Sequence, residues 1–251
     1  MTQTLTILTG ASRGLGLAMA GQLLAPRHTL LCISRHSHEG LAVQARGLNA
    51  TLIQWTEDLA QGASASRRLE QWLREFANDA FSSATLINNA GFIPRVAPLS
   101  EADADELSQA LRVGLEAPMQ LSAAFLRATQ AWNAPRKLLN ISSGLGRRAM
   151  ASQSAYCAAK AGMDHFTRCL ALDEALKPHG AKVCALAPGV IDTDMQLQLR
   201  SADAAAFPDQ ANFVKLHRAG ELSSAADAAL RVLAFLSRAD FGAQAVADVR
   251  V

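Results

Sequence analysis

Short, nearly unbroken apolar runs alternate along the chain with longer segments whose apolar positions recur at helical spacing. The runs at residues 5–8, 29–33, 51–55, 85–88, 137–141, 182–186 and 245–249 are predicted strands. Most are apolar at consecutive positions, not alternate ones, which is the mark of a strand covered on both faces. Helices are predicted over residues 14–25, 64–77, 101–131, 155–176 and 225–237. Pro118 lies inside the third of these and is expected to kink it, because proline has no backbone N–H to give. Strands separated by helices pair in parallel through right-handed crossovers. The expected fold class is therefore α/β, a single doubly wound parallel sheet with helices on both faces, spanning residues 1–251 as one domain. Residues 192–220 break the rhythm: they are polar, alanine-rich, contain Pro208 and follow a strand end. They read as a long irregular insertion serving as a lid.

Composition narrows the class without changing that picture. The chain has 251 residues, half of them hydrophobic (50%) and 18% charged, which is enough apolar surface for a full core without disulfides or metals. The formal charge of +2 comes with no long basic run, so nothing calls for a nucleic-acid partner. No segment approaches the roughly 20 apolar residues of a membrane helix. Met1-Thr2-Gln3 lacks a basic start and leads into a strand, so a signal peptide is not expected and the location is read as cytoplasmic. Cys32, Cys157, Cys169 and Cys184 form no C-x-x-C pair and have no histidine at ligand spacing. They read as small buried side chains in a reducing compartment, with no metal.

The candidate chemistry gathers at strand ends. The first strand runs into Gly10-Ala11-Ser12-Arg13-Gly14-Leu15-Gly16, a glycine cluster placed between a strand and a helix. Such a turn lets backbone approach a diphosphate seated on the helix N-terminus. The second strand ends in Ser34-Arg35, where an NAD site usually has an acid for the ribose hydroxyl. Arg35 and Arg13 suit a 2′-phosphate instead, which argues for NADP(H), unless they are ordinary surface charges. Tyr156 and Lys160 stand four residues apart on one helix face, and Tyr156 is the only tyrosine in the chain. A neighbouring ammonium favours the phenolate. Ser143 lies at a strand end thirteen residues earlier, in Asn140-Ile141-Ser142-Ser143-Gly144. Asn88-Asn89-Ala90-Gly91 and Pro188-Gly189-Val190-Ile191-Asp192-Thr193 end two further strands at the same edge.

In this order and spacing, these residues resemble the short-chain dehydrogenase/reductase family over essentially the whole chain, and with it the Rossmann fold. The resemblance implies Tyr156 as general acid, Lys160 as the residue that lowers its pKa and holds the nicotinamide ribose, and Ser143 as the residue that orients the carbonyl. It implies that Gly10, Gly14 and Gly16 contact the cofactor diphosphate and Asp58 its adenine. Asn89 would line the cofactor cleft and Thr193 would hold the nicotinamide carboxamide, with Ser12, Arg13, Leu15, Arg35, Leu59, Ala90, Gly91, Pro188 and Gly189 also expected to bind the cofactor. One position departs: Gly114 stands where the family usually has an asparagine that anchors a water beside the lysine. The segment Ala187–Gln196, together with Tyr156-Cys157, is similar to sepiapterin reductases and to bacterial reductases of 1,2-diketones such as benzil. In sepiapterin reductases an aspartate near the C-terminus holds the pterin. The matching position is Asp248, which is otherwise a solvated terminal aspartate.

The expected activity is NADPH-dependent reduction of a ketone or 1,2-dicarbonyl, either a pterin side chain or a diketone. The partners would be a small-molecule carbonyl substrate and a second copy of the chain, as a homodimer or homotetramer joined through the 101–131 helix and the Tyr156 helix. Two rivals are a 3-oxoacyl carrier-protein reductase, for which Arg147-Arg148 is the only candidate docking patch, and a catalytically impaired NADP-binding sensor or scaffold, which only Gly114 favours.

Overall fold

The computed structural model describes residues 3–250; Met1, Thr2 and Val251, and with them the expectation about the first residues of the chain, lie outside that range. The elements run β1 (Gln3–Thr9), α1 (Gly14–Leu23), β2 (His28–Ser34), α2 (Glu39–Gly47), β3 (Thr51–Thr56), α3 (Gly62–Leu73), β4 (Phe81–Asn88), α4 (Ala104–Leu111), α5 (Ala117–Ala128), β5 (Arg136–Ile141), α6 (Ser154–Ala175), β6 (Lys182–Ala187), α7 (Asp194–Arg200), α8 (Gln210–Arg218), α9 (Ala225–Ser237) and β7 (Val246–Asp248). The strands form one sheet in the order β3-β2-β1-β4-β5-β6-β7, and every pair is parallel.

Alternate strand residues feed two separate cores. Leu8, Leu30, Ile87, Leu139 and Leu186 pack against Met19 of α1, Leu41 of α2 and Val232 of α9. Leu5, Ile7, Leu31, Leu86 and Val183 pack against Leu69 of α3 and Leu121 and Phe125 of α5. Both strand faces are covered, which is why the runs are apolar at consecutive positions.

Four expectations need correction. The helix α2 has no counterpart in the sequence reading, because only Leu41 and Ala45 of its nine residues are buried and the apolar stripe is too thin to register. Residues 101–131 are not one helix kinked at Pro118. Between α4 and α5 lies a π turn, Arg112–Glu116, closed by the Ala117 N–H donating to Arg112 O. Pro118 sits in the first turn of α5, directly behind the π turn, and has no N–H to give to the carbonyls of that turn. The irregularity therefore centres on buried Gly114, where a Cβ would come within 3.0 Å of Ala159 Cβ on α6. The 192–220 stretch is not irregular either. It holds α7 and α8, pinned by a small cluster of Val96, Met150, Leu199 and Phe207, with Phe213 stacked on Phe207 at 5.7 Å between centroids. Finally, Cys32 and Cys184 are buried as expected, but Cys157 is only partly buried and Cys169 is exposed. Among the described residues no helix is long and apolar enough to cross a membrane.

Candidate active site

The strand order reverses direction between β1 and β4, and a crevice opens beyond the C-terminal ends of strands at such a point. A cavity of about 850 Å³ occupies it. Its walls come from the loop after β1, the ends of β2, β4, β5 and β6, the start of α6, and the pair α7 and α8.

The glycine loop is shaped by two different constraints. Gly10 and Gly14 have φ of +70° and +54°, the left-handed region that glycine adopts without strain. Gly16 has an ordinary backbone but no room: a Cβ there would lie 2.1 Å from Gly10 O. Asn89 Nδ2 donates to Thr9 O (3.0 Å) and Gly10 O (3.3 Å), and Thr9 Oγ1 accepts from the N–H groups of Asn89 (2.9 Å) and Ala90 (3.0 Å). Asn89 thus clasps the end of β4 to the loop after β1. The first N–H groups of α1 receive no side-chain cap and stand at the cavity wall, with Gly14, Leu15 and Gly16 lining it. Uncapped N–H groups at a helix N-terminus are the donor set a diphosphate requires, so this cradle fits a dinucleotide.

Ser12, Arg35, Asp58, Leu59, Ala90, Gly91, Pro188, Gly189 and Thr193 also line the cavity. The Asp58 carboxylate caps the turn that follows it, accepting from Ala60 N at 2.9 Å. Arg13 is partly committed: its Nη1 donates to Asp194 Oδ2 at 2.9 Å, joining the glycine loop to the first residue of α7 across the exposed rim.

Ser143, Tyr156 and Lys160 converge at the other end. Ser143 follows β5, and its hydroxyl accepts from Leu145 N at 3.2 Å. Burial pushes the Tyr156 phenol above its ordinary range, and the nearby Ser143 hydroxyl works against that rise. Lys160 is 4% exposed; its Nζ donates to Ile141 O at 2.7 Å and stands 5.7 Å from the centroid of the Tyr156 ring. Burial lowers its pKa to about 8, and the charge of Asp164 acts in the opposite direction.

Asp248 is not in the cavity wall. Arg250 takes both its oxygens, Nε to Oδ1 at 2.8 Å and Nη2 to Oδ2 at 2.7 Å, and the Arg250 N–H adds a third bond. That grip holds the carboxyl below the usual carboxylate range. Arg250 itself lines the cavity. The sequence reading missed Arg250 as well as Ile93, Leu145 and Met150, which form an apolar wall with Leu199 of the lid segment. No local motif marks those three apolar side chains, which arrive from the stretches after β4 and β5. Arg250 had one usable signal, its place two residues after Asp248.

A family model described as short chain dehydrogenase matches residues 4–204. A benzil reductase forming (S)-benzoin, from Bacillus cereus, is 35% identical over 218 residues, covering 87% of this chain and 88% of that protein. A sepiapterin reductase from Xenopus tropicalis is 32% identical over 212 residues, covering 80% and 78%. Among solved structures, an Agrobacterium tumefaciens enzyme with bound NADP superposes with a TM-score of 0.79 at 27% identity, covering 99% of this chain and 95% of that one.

Proposed function

The chain belongs to the short-chain dehydrogenase family and is an oxidoreductase of it, and on that premise we propose that it reduces a ketone or 1,2-dicarbonyl with NADPH. The observation that carries this reading is the meeting of Ser143, Tyr156 and Lys160 in one cavity whose far end is a diphosphate cradle. A reduced nicotinamide, when bound, supplies hydrogen with two electrons to the carbonyl carbon. The carbonyl oxygen then needs a proton and a place for its developing charge. Ser143 offers its hydroxyl to that oxygen, and Tyr156, kept protonated by burial, gives the proton. The Lys160 ammonium, fixed on Ile141 O, opposes the negative charge left on the phenol oxygen. Ile93, Leu145, Met150 and Leu199 keep water from the reacting carbon.

The same apolar wall favours an aromatic or alkyl 1,2-diketone over a pterin. The carboxylate that would anchor a pterin is held by Arg250, and freeing it means breaking two charge-assisted bonds. Asp248→Ala is expected to leave diketone kcat/KM within about threefold, whereas a pterin-anchoring carboxylate is worth about tenfold or more. Steady-state assays with both substrate types decide it. A large loss confined to pterin turnover in Asp248→Ala would move the assignment to pterins.

Preference for NADPH rests on Arg35 and Arg13. Replacing both by alanine removes two charge-assisted hydrogen bonds to a 2′-phosphate, and each is worth about 1.5–3 kcal/mol. The expected result is NADPH binding weakened by about 100-fold or more, with NADH binding unchanged, read by fluorescence titration. Equal losses for both cofactors would overturn the preference. The helices α7 and α8 serve as the lid. Gln198 Nε2 supports this by tying the lid to Ile93 O and Pro94 O at 3.4 and 3.0 Å. Assembly as a homodimer or homotetramer belongs to the same reading, supported by exposed Leu111 and Met119 near the π turn, Leu172 on α6 and Leu176 just after it.

A further inference from the structure

We propose that Asp164 is a positioning residue of the reaction: its buried carboxylate ties the Ser143 loop to α6 and sustains the charge on Lys160. The inference deepens the roles given above to Ser143 and Lys160 and rests on them.

Asp164 lies one helical turn beyond Lys160, on the same face of α6, and is 1% exposed. A carboxylate is found so deep only where something compensates its charge. Ser142 Oγ donates to Asp164 Oδ1. Ser142 is the residue beside Ser143, so this bond fixes the end of β5 from which the Ser143 hydroxyl projects. Arg147 comes from the same loop, its Nε 3.4 Å from Asp164 Oδ2, while its Nη2 reaches Ser143 O (3.5 Å) and Ala247 O (3.4 Å). Gly146 makes the approach possible: a Cβ there would lie 2.9 Å from Lys160 O and 3.0 Å from Asp164 Oδ2. Three residues of one loop are therefore fitted around a single side chain of the helix that carries Tyr156 and Lys160.

The charge of this carboxylate acts in two directions. Asp164 Oδ2 receives no hydrogen bond but faces Arg147 Nε at 3.4 Å, so an asparagine would keep the bond from Ser142 and lose that ion pair. The carboxylate also acts electrostatically on Lys160, whose own hydrogen bond goes to the neutral Ile141 carbonyl. The surroundings leave few other charges. On α6, Tyr156 is held neutral by burial. On β6, the Cys184 thiol is pushed up to about 12 and is neutral too. The π turn presents Gly114. Asp164 and Arg147 remain, of opposite sign: the charge of Asp164 supports the ammonium of Lys160, and Arg147 pairs with that carboxylate, so removing Arg147 leaves the Asp164 charge less balanced.

The two signs give the test. The chain has five lysines, so selectively labelled lysine can be titrated by NMR in the cofactor-free protein, and Lys160 is the one ionising near 8. In Asp164→Asn its midpoint is expected to fall by about one unit, and in Arg147→Gln to rise. The alkaline limb of the pH profile for carbonyl reduction should move the same way in each variant. Arg147 is partly exposed, so Arg147→Gln keeps the test alive if Asp164→Asn fails to fold. A Lys160 midpoint that stays in place in both variants overturns the inference and leaves Asp164 as packing alone. A midpoint that moves while the pH profile does not upholds the coupling and overturns the catalytic role of Lys160.

Discussion

Tyr156→Phe is expected to lower kcat for carbonyl reduction by about 10²–10⁴-fold, the usual contribution of a positioned general acid, while NADPH binds as before. The substitution removes one hydroxyl and keeps the ring, so the cavity wall and the packing of α6 persist. Cofactor binding depends on the glycine cradle at the far end of the cavity, which the change does not touch. Because Tyr156 is the only tyrosine, phenolate absorbance in the ultraviolet reports its ionisation with no competing signal. In the cofactor-free enzyme the midpoint should lie above the ordinary tyrosine value, since burial disfavours the charged form. Ser143→Ala should raise it further, because the serine hydroxyl is the group that opposes the effect of burial. The sign for activity follows. Reduction needs the phenol protonated, which holds throughout the neutral range. The decline at alkaline pH therefore belongs to Lys160, which loses its charge near 8. Turnover retained in Tyr156→Phe would remove Tyr156 from the mechanism, whatever the titration gave.

The parts of this molecule legible in its sequence are those decided locally. The central strands could be read because they are buried on two faces and so carry apolar residues at consecutive positions, and the less buried β3 and β7 keep enough apolar residues to follow the same rhythm. Ser143, Tyr156 and Lys160 could be read because a strand end and one helical turn fix their places. What escaped was decided by contacts between distant segments. The π turn at Gly114 leaves the apolar rhythm of 101–131 intact, and it is needed because α6 comes so near, with Ala159 facing the glycine. The pairing of Asp248 with Arg250 depends on how the chain turns after β7, so a carboxylate at the right position in the sequence is engaged elsewhere in space. Arg13, immediately before a helix turn that invites phosphate, is likewise met by Asp194 from a segment 181 positions away.

Gly16→Ala is expected to be far more damaging to the cofactor site than Gly14→Ala, and the reason separates these two loop glycines. At Gly14 the constraint is conformational. Its φ of +54° costs an alanine about 1–2 kcal/mol, but the new Cβ would meet only the Thr193 methyl at 3.5 Å. At Gly16 the backbone is ordinary and the constraint is space. The Cβ would stand 2.1 Å from Gly10 O and 2.5 Å from Asn89 Nδ2, so the start of α1 must draw back from β1. The Asn89 amide, 2.5 Å from the new Cβ, is displaced as well, and its bonds to Thr9 O and Gly10 O add about 1 kcal/mol each to an overpacking cost of about 1–3 kcal/mol. For a chain of this length each kcal/mol lowers Tm by about 2–4 °C. The expected order of thermal midpoints without cofactor is wild type, then Gly14→Ala, then Gly16→Ala, the last about 6–20 °C below wild type. NADPH should raise the midpoint of the wild type by mass action and do so far less for Gly16→Ala, because the N–H groups that would hold the diphosphate move with α1. If Gly16→Ala melts with Gly14→Ala and responds equally to NADPH, the close seat of α1 on the β1 loop is not what positions the cofactor, and the positive φ values of Gly10 and Gly14 must carry that role instead.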